Sequence, residues 1–131
     1  MRRYFADERM DLESPKPRRP TECPVEDWLS FLGHRWNALI LWHLKHGAKR
    51  YGELAACLPG VAPKVLTERL LGLEKRGLLT RSPTSTFPRS VTYCLTSAGA
   101  SLVHILDQLE VWSRHAPSES HADLYSIVER K

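Results

Sequence analysis

The chain has 131 residues, a net charge of +4 and hydrophobic and charged fractions of 42% and 26%, which are ordinary values for a soluble globular protein. This length allows one domain with a sizeable core and leaves little room for a second. The apolar run from Ala38 to Trp42 is far too short to span a bilayer, and the charged N-terminus lacks the apolar segment of a secretory signal. We therefore expect a cytoplasmic protein with no membrane partner.

The three cysteines, Cys23, Cys57 and Cys94, are an odd number and form no CxxC pair. This pattern favours neither an internal disulfide framework nor a tetrahedral zinc site. The six histidines are scattered along the chain. No metal and no cofactor is expected.

The first elements are predicted from prolines, glycines and apolar spacing. Residues 1–22 mix charges with three prolines and are interpreted as a flexible arm. A first helix should begin at Cys23-Pro24, because proline suits the first helical position, and end at Gly33. A second helix, from about Trp36 to His46, is apolar nearly all round and should be the central core helix.

The next segment has the pattern of a helix-turn-helix. A short helix from Tyr51 to Leu58 is followed by the turn Leu58-Pro59-Gly60 and a longer helix from Pro63 to Arg76. Leucines at 66, 70 and 73 form the seam that this helix should bury. The face opposite the seam is polar in its N-terminal half, which is where a recognition helix contacts a DNA major groove.

Two β-type runs, Leu78 to Arg81 and Val91 to Leu95, flank a proline-, serine- and threonine-rich tip that ends at Arg89. This pattern predicts a hairpin wing whose arginine can enter a narrow minor groove. The predicted fold class is therefore mainly α with a small β-hairpin wing: a winged helix-turn-helix of about five helices.

A long final helix should start after Thr96 or Ser97, either of which can cap it, and residues 117–131 are expected to form a polar tail. The apolar stripe of this helix has little domain left to pack on, so we expect a homodimer that buries the stripe together with the first helix. The predicted interface residues are Trp28, Leu102, Ile105, Leu106, Leu109 and Trp112.

Positive charge collects around the helix-turn-helix and the wing. From Gly60 to Tyr93 there are six basic residues (Lys64, Arg69, Lys75, Arg76, Arg81, Arg89) and two acidic ones (Glu68, Glu74), and no acid occurs from Lys75 to Leu106. Such clustering favours double-stranded DNA as the partner. The candidate major-groove residues are Pro63, Lys64, Thr67, Glu68 and Arg69, with Glu68 able to accept from a cytosine amine. The candidate phosphate contacts are Lys75, Arg76 and Arg81, and Arg89 is assigned to the minor groove.

Several motifs together resemble the HxlR-type transcription regulators, a branch of the MarR-like winged-helix proteins. They are Cys23-Pro24, Leu32-Gly33-x-x-Trp36, Ile40-Leu41-Trp42-His43-Leu44, Leu58-Pro59-Gly60, Leu66-Thr67 and Tyr93-x-Leu95-Thr96-x-x-Gly99. The resemblance covers residues 23–116. It implies a homodimeric transcriptional regulator with intertwined terminal helices on a pseudo-palindromic operator. Repression is the predicted sign of regulation, with activation as the alternative. The chain departs from the family at Ala62, where a serine or threonine cap is usual, and at Asn37, where a basic residue is usual.

Cys23 precedes a proline-started helix, where unpaired N–H groups stabilise a thiolate, although Glu26 and Asp27 oppose this effect. The resemblance implies a redox or electrophile sensor at this position, with a small electrophilic or aromatic effector. A purely structural role, as a small apolar residue kept for packing, is the interpretation that the residues alone slightly favour.

Two other classes of function were weighed against DNA binding. A winged-helix protein-interaction module that dimerises without touching DNA has no need of the acid-free stretch. An enzyme, such as a thiol-based reductase or a hydrolase, would need a nucleophile–base pattern, a glycine-rich phosphate loop or an HExxH motif, and the sequence has none of these. DNA binding without enzymatic activity is the prediction.

Overall fold

The structure is a computed structural model that describes residues 16–117. Most of the predicted arm (residues 1–15) and of the predicted tail (residues 118–131) lies outside the described residues. The chain divides between His34 and Arg35 into two compact units, which are described one after the other.

The described residues of the first unit form a 3₁₀ turn, Pro20–Glu22, and helix α1, Pro24–Leu32. Cys23 is the N-cap in an extended conformation, and Pro24 occupies the first helical position, as its missing N–H favours. Gly33 is the C-cap, and its N–H donates to the Leu29 carbonyl at 2.9 Å as the last helical bond. Both predicted ends of α1 are therefore confirmed.

The second unit contains the helix-turn-helix and the wing. Its elements are α2 (Asn37–His43), β1 (Lys49–Arg50), α3 (Tyr51–Cys57), α4 (Pro63–Lys75), β2 (Leu79–Pro83), β3 (Val91–Leu95) and α5 (Ser97–Arg114). The strands form one antiparallel sheet in the order β1-β3-β2. Within residues 16–117 there are thus five α-helices and a three-stranded sheet, which confirms the predicted winged helix-turn-helix.

The core of the second unit is almost entirely aliphatic. Helix α4 packs on β2, and α5 packs on α2 and β3. Leu66, Leu70 and Leu73 are buried, which confirms the predicted seam of α4. The other buried apolar residues are Ile40, Leu41, Leu44, Leu54, Leu58, Leu78, Leu79, Tyr93 and Val103.

Helix α2 differs from its prediction in length and in burial. It begins at Asn37 because Trp36 adopts a left-handed conformation (φ 83°) as the N-cap, and the segment after His43 continues as turns up to Gly47. The prediction of a core helix is confirmed for Ile40 and Leu41, which are buried, whereas Leu39 and Trp42 on the same helix are exposed. Strand β1 was not predicted at all.

The start of α5 is fixed by a cap and by a close backbone approach. The Thr96 hydroxyl accepts the N–H of Gly99 at 3.0 Å and donates to the carbonyl of Gly77 at 2.6 Å. Gly99 is buried, and a Cβ at this position would overlap the carbonyl oxygen of Leu78. This arrangement brings the first turn of α5 directly onto the link between α4 and β2.

Candidate nucleic-acid interface

The open face of α4 carries four of the predicted major-groove residues. Pro63, Lys64, Thr67 and Glu68 are all exposed, while the leucine seam on the other side of the helix is buried. Helix packing alone therefore determines which side of α4 is available to a partner.

No side chain caps the start of α4, since Ala62 at the N-cap position offers no acceptor. Close by, the hydroxyl of Tyr51, the first residue of α3, donates to the carbonyl of Pro63 at 3.1 Å. The same hydroxyl lies 3.4 Å from Oγ1 of Thr67. Tyr51 thus joins the two helices of the helix-turn-helix, a role that its sequence position did not reveal.

Arg69 is placed differently from the exposed residues of α4. Its side chain is half-buried, and its Nε donates to the carbonyl of Arg35 at 2.9 Å. This bond ties α4 to the segment before α2. A base contact by Arg69, as predicted from the sequence, would have to be made by the remaining guanidinium N–H groups or after this bond breaks.

The predicted phosphate contacts lie at the end of α4 and on the wing. Lys75, Arg81 and Arg89 are exposed, whereas Arg76, the C-cap of α4, is half-buried. Position 37 is not part of this surface, because Asn37 is only 1% exposed. The missing basic residue at this position therefore affects the core and not the candidate interface.

The wing tip is held by its own hydrogen bonds. The N–H of Thr84 donates to the carbonyl of Ser90 at 2.8 Å, and the N–H of Ser90 donates to the Thr84 hydroxyl at 3.0 Å. The Thr84 hydroxyl in turn donates to the carbonyl of Thr86 at 3.3 Å. These bonds, together with the prolines, define the shape of the loop that carries Arg89.

An apolar stripe follows the exposed side of α5. Ile105, Leu109 and Trp112 are 56%, 53% and 62% exposed, and Leu102 and Leu106 are half-buried. These are the residues of α5 that the sequence assigns to a subunit interface. In the other unit, Trp28 of α1 is half-buried.

The cysteines occupy three different environments, and all are free thiols. Cys23 is half-buried at the start of α1 and makes no side-chain cap hydrogen bond. Cys57 on α3 is also half-buried, and Cys94 is exposed on β3. Within residues 16–117 no group of three or more His, Cys, Asp or Glu side chains is placed to hold a metal ion. In the same part of the chain, no helix combines the length and apolar character needed to cross a bilayer.

Residues 31–121 match the family model described as HxlR-like helix-turn-helix. The chain belongs to this family. The HTH-type transcriptional regulator YtcD of Bacillus subtilis (strain 168) is 37% identical over 105 residues, which span 80% of this chain and 83% of YtcD. The reduced form of the regulator YodB from B. subtilis superposes with a TM-score of 0.68 and 34% identity, covering 73% of this chain and 95% of YodB.

The redox regulator HypR in its oxidised form superposes with a TM-score of 0.65 and 31% identity, covering 73% of this chain and 99% of HypR. YodB has also been solved with a quinone bound. These relatives and the shared fold show that this HxlR-like protein is a transcriptional regulator and not an enzyme.

Proposed function

We propose that this HxlR-like regulator represses transcription by binding a pseudo-palindromic operator as a homodimer. The observation that carries the proposal is the position of α4. Its leucine seam is buried, and its first two turns present Lys64, Thr67 and Glu68 to solvent. A recognition helix reads base edges with its N-terminal residues, and the exposure of these polar side chains supports that role for α4.

The contacts follow from the charge and reach of the exposed residues. The Glu68 carboxylate accepts from a cytosine amino group, and Lys64 donates to a base or a phosphate. Arg89 enters the adjacent minor groove from the wing tip. Lys75 and Arg81, which are both exposed, bind phosphates together with Arg76.

The apolar stripe of α5 supports the homodimer. Ile105, Leu109 and Trp112 each leave more than half of their side-chain surface in water. Covering the exposed half of such a side chain contributes about 1 kcal/mol, and two-fold symmetry doubles the gain for each residue. In a symmetric dimer the two recognition helices would read half-sites about 34 Å apart, one turn of DNA.

Selection of duplexes from a randomised pool by the full-length protein tests the DNA-binding part of the proposal. We expect an enriched motif with two inverted half-sites about 10 base pairs apart. Lys64→Ala should weaken binding to the enriched duplex, whereas Arg114→Ala, which removes the same charge from the end of α5, should not. Failure of the wild type to enrich any motif, or equal losses in the two variants, would contradict the proposal.

Repression is tested by transcription in vitro. The enriched site is placed across a promoter, where a bound dimer blocks access of the polymerase. Added protein should lower the amount of transcript from this template and leave a template with a scrambled site unaffected. An increase in transcript from the first template would reverse the proposed sign of regulation.

Cys23 is the proposed point of response to electrophiles. Its half-buried position at the start of α1 supports this assignment, as do a quinone-bound form of one relative and the description of another as a redox regulator. In the proposed step the Cys23 sulfur adds to a ring carbon of the quinone. A C–S bond forms and the attacked ring carbon loses its hydrogen as a proton. This proton and the thiol proton end on the two ring oxygens, so the ring becomes a hydroquinone and no further reductant is needed.

The matched control for Cys23 is Cys94, which is the more exposed thiol. Treatment with one equivalent of p-benzoquinone, followed by peptide mass spectrometry, should place the adduct on Cys23. Cys23→Ser should keep its affinity for the enriched duplex after treatment, while Cys94→Ser should lose affinity as the wild type does. An adduct on Cys94 alone, or loss of affinity in treated Cys23→Ser, would exclude Cys23 as the sensor.

A further inference from the structure

We infer that Tyr51 is a specificity-positioning residue: its hydroxyl fixes the Thr67 hydroxyl as a hydrogen-bond acceptor toward DNA. Thr67 would then select a base with an exocyclic amino group, adenine or cytosine, at one position of each half-site. The inference rests on the proposed DNA-binding function and adds to it the residue that sets the preference at this position.

The direction of the hydrogen bonds follows from the number of protons. A tyrosine hydroxyl carries one hydrogen, and the carbonyl of Pro63 can only accept. The 3.1 Å contact between Tyr51 Oη and the Pro63 carbonyl therefore uses the tyrosine hydrogen. In the 3.4 Å contact between Tyr51 Oη and Thr67 Oγ1, the donor must then be Thr67.

This assignment leaves the Thr67 oxygen with lone pairs and no hydrogen to offer a partner. The side chain is exposed on the open face of α4. In the major groove, adenine N6 and cytosine N4 donate hydrogen bonds, whereas guanine O6 and N7 and thymine O4 accept them. An acceptor at position 67 therefore pairs only with adenine or cytosine, and the next residue, Glu68, is also an acceptor.

Tyr51 also prevents an alternative bond within the helix. A threonine inside a helix often donates to the carbonyl four residues earlier, and for Thr67 that carbonyl belongs to Pro63. Tyr51 occupies this carbonyl. Without the tyrosine hydroxyl, the Thr67 hydroxyl is free to rotate and can donate to the Pro63 carbonyl. The lone pairs of the Thr67 oxygen are then no longer held in one orientation toward the DNA.

The base pair that Thr67 contacts is first identified as the one at which Thr67→Val no longer distinguishes between bases. The test then measures the affinity of the protein for four duplexes that differ only at this base pair. The wild type should prefer adenine or cytosine by about fivefold to tenfold, the lower part of the range for a good base contact. Tyr51→Phe, which removes only the hydroxyl, should reduce this preference to about twofold or less at that base pair alone. Thr67→Ser should retain the preference.

The control is Tyr93→Phe, which removes a tyrosine hydroxyl from the wing strand and should leave all base preferences unchanged. A purely structural effect of Tyr51→Phe would lower affinity for every duplex by the same factor. That outcome would overturn the inference while leaving DNA binding intact. An unchanged base preference in Tyr51→Phe would do the same, and so would a wild-type preference for guanine or thymine at this base pair. A wild type without any enriched motif would instead remove the proposed function itself.

Discussion

The replacement Gly99→Ala tests the packing of α5 against the rest of the second unit. From helix propensity alone, alanine should be the better residue by about 1 kcal/mol. In the structure, however, the new Cβ would overlap the carbonyl oxygen of Leu78 and lie 3.1 Å from Cδ2 of Leu95. The two effects have opposite signs, so the measurement distinguishes between them.

The carbonyl oxygen of Leu78 cannot easily move away from a new methyl group. It belongs to the backbone and accepts the N–H of Thr96 at 3.0 Å, next to the cap of α5. Relief of the overlap would therefore require a shift of the first turn of α5. Overpacking of this kind typically costs about 1–3 kcal/mol and occasionally more, and a rigid backbone neighbour places Gly99→Ala at the upper end. After the propensity gain is subtracted, we expect a net loss of about 2 kcal/mol.

The assay is urea unfolding followed by circular dichroism. Wild type and variants are compared at the same protomer concentration, because the stability of the proposed dimer would depend on concentration. The matched control is Gly52→Ala on α3, since a Cβ at Gly52 meets nothing within 4 Å. This control should be neutral or stabilised by up to about 1 kcal/mol. Stability of Gly99→Ala equal to or above that of the wild type would refute the close backbone contact.

Three further replacements test separate features. Thr96→Val removes the cap bond to Gly99 and the bond to the Gly77 carbonyl, so thermal unfolding should show a loss of about 1–2 kcal/mol; an unchanged midpoint would contradict the cap. Asp107→Asn weakens the 2.9 Å ion pair between Asp107 and Lys45, whose side chains are 34% and 27% exposed. The free energy of unfolding should therefore fall by at most about 1 kcal/mol, and by less in 1 M salt. A loss of stability that does not depend on salt would exclude the ionic contribution. Leu109→Ala should raise the dimer dissociation constant about 30-fold in sedimentation equilibrium, because two exposed leucines are lost per dimer; an unchanged constant would remove this stripe from the interface.

The helix-turn-helix and the wing could be predicted because local pattern determines them. Leu66, Leu70 and Leu73 recur at the helical period, and all three are buried. The β-type run from Val91 to Leu95 forms β3, in which Tyr93 is buried and Cys94 is exposed. Thr96 caps α5 because its side chain bonds a backbone N–H only three residues away.

The features that were missed depend on residues far apart in sequence. Strand β1 has only two residues and exists because Lys49 and Arg50 pair with β3, so no periodicity reveals it. The Tyr51 hydroxyl reaches a carbonyl 12 positions away, and Arg69 bonds a carbonyl 34 positions away. The left-handed conformation of Trp36 (φ 83°) could not be predicted either, because a positive φ is expected at glycine and is rare at a bulky side chain.

The most direct test of the central claim, specific DNA binding through α4 and the wing, is an anisotropy titration of the enriched duplex at about 50 and 200 mM salt. Five cationic residues of each protomer are proposed to bind DNA: Lys64, Lys75, Arg76, Arg81 and Arg89. The ten cations of a dimer predict a log–log salt slope of about −9. Arg89→Ala should flatten this slope by about one unit for each protomer. The account also predicts binding at least about 1,000-fold tighter than to a scrambled duplex. Equal affinity for the two duplexes, or a slope that Arg89→Ala leaves unchanged, would contradict it.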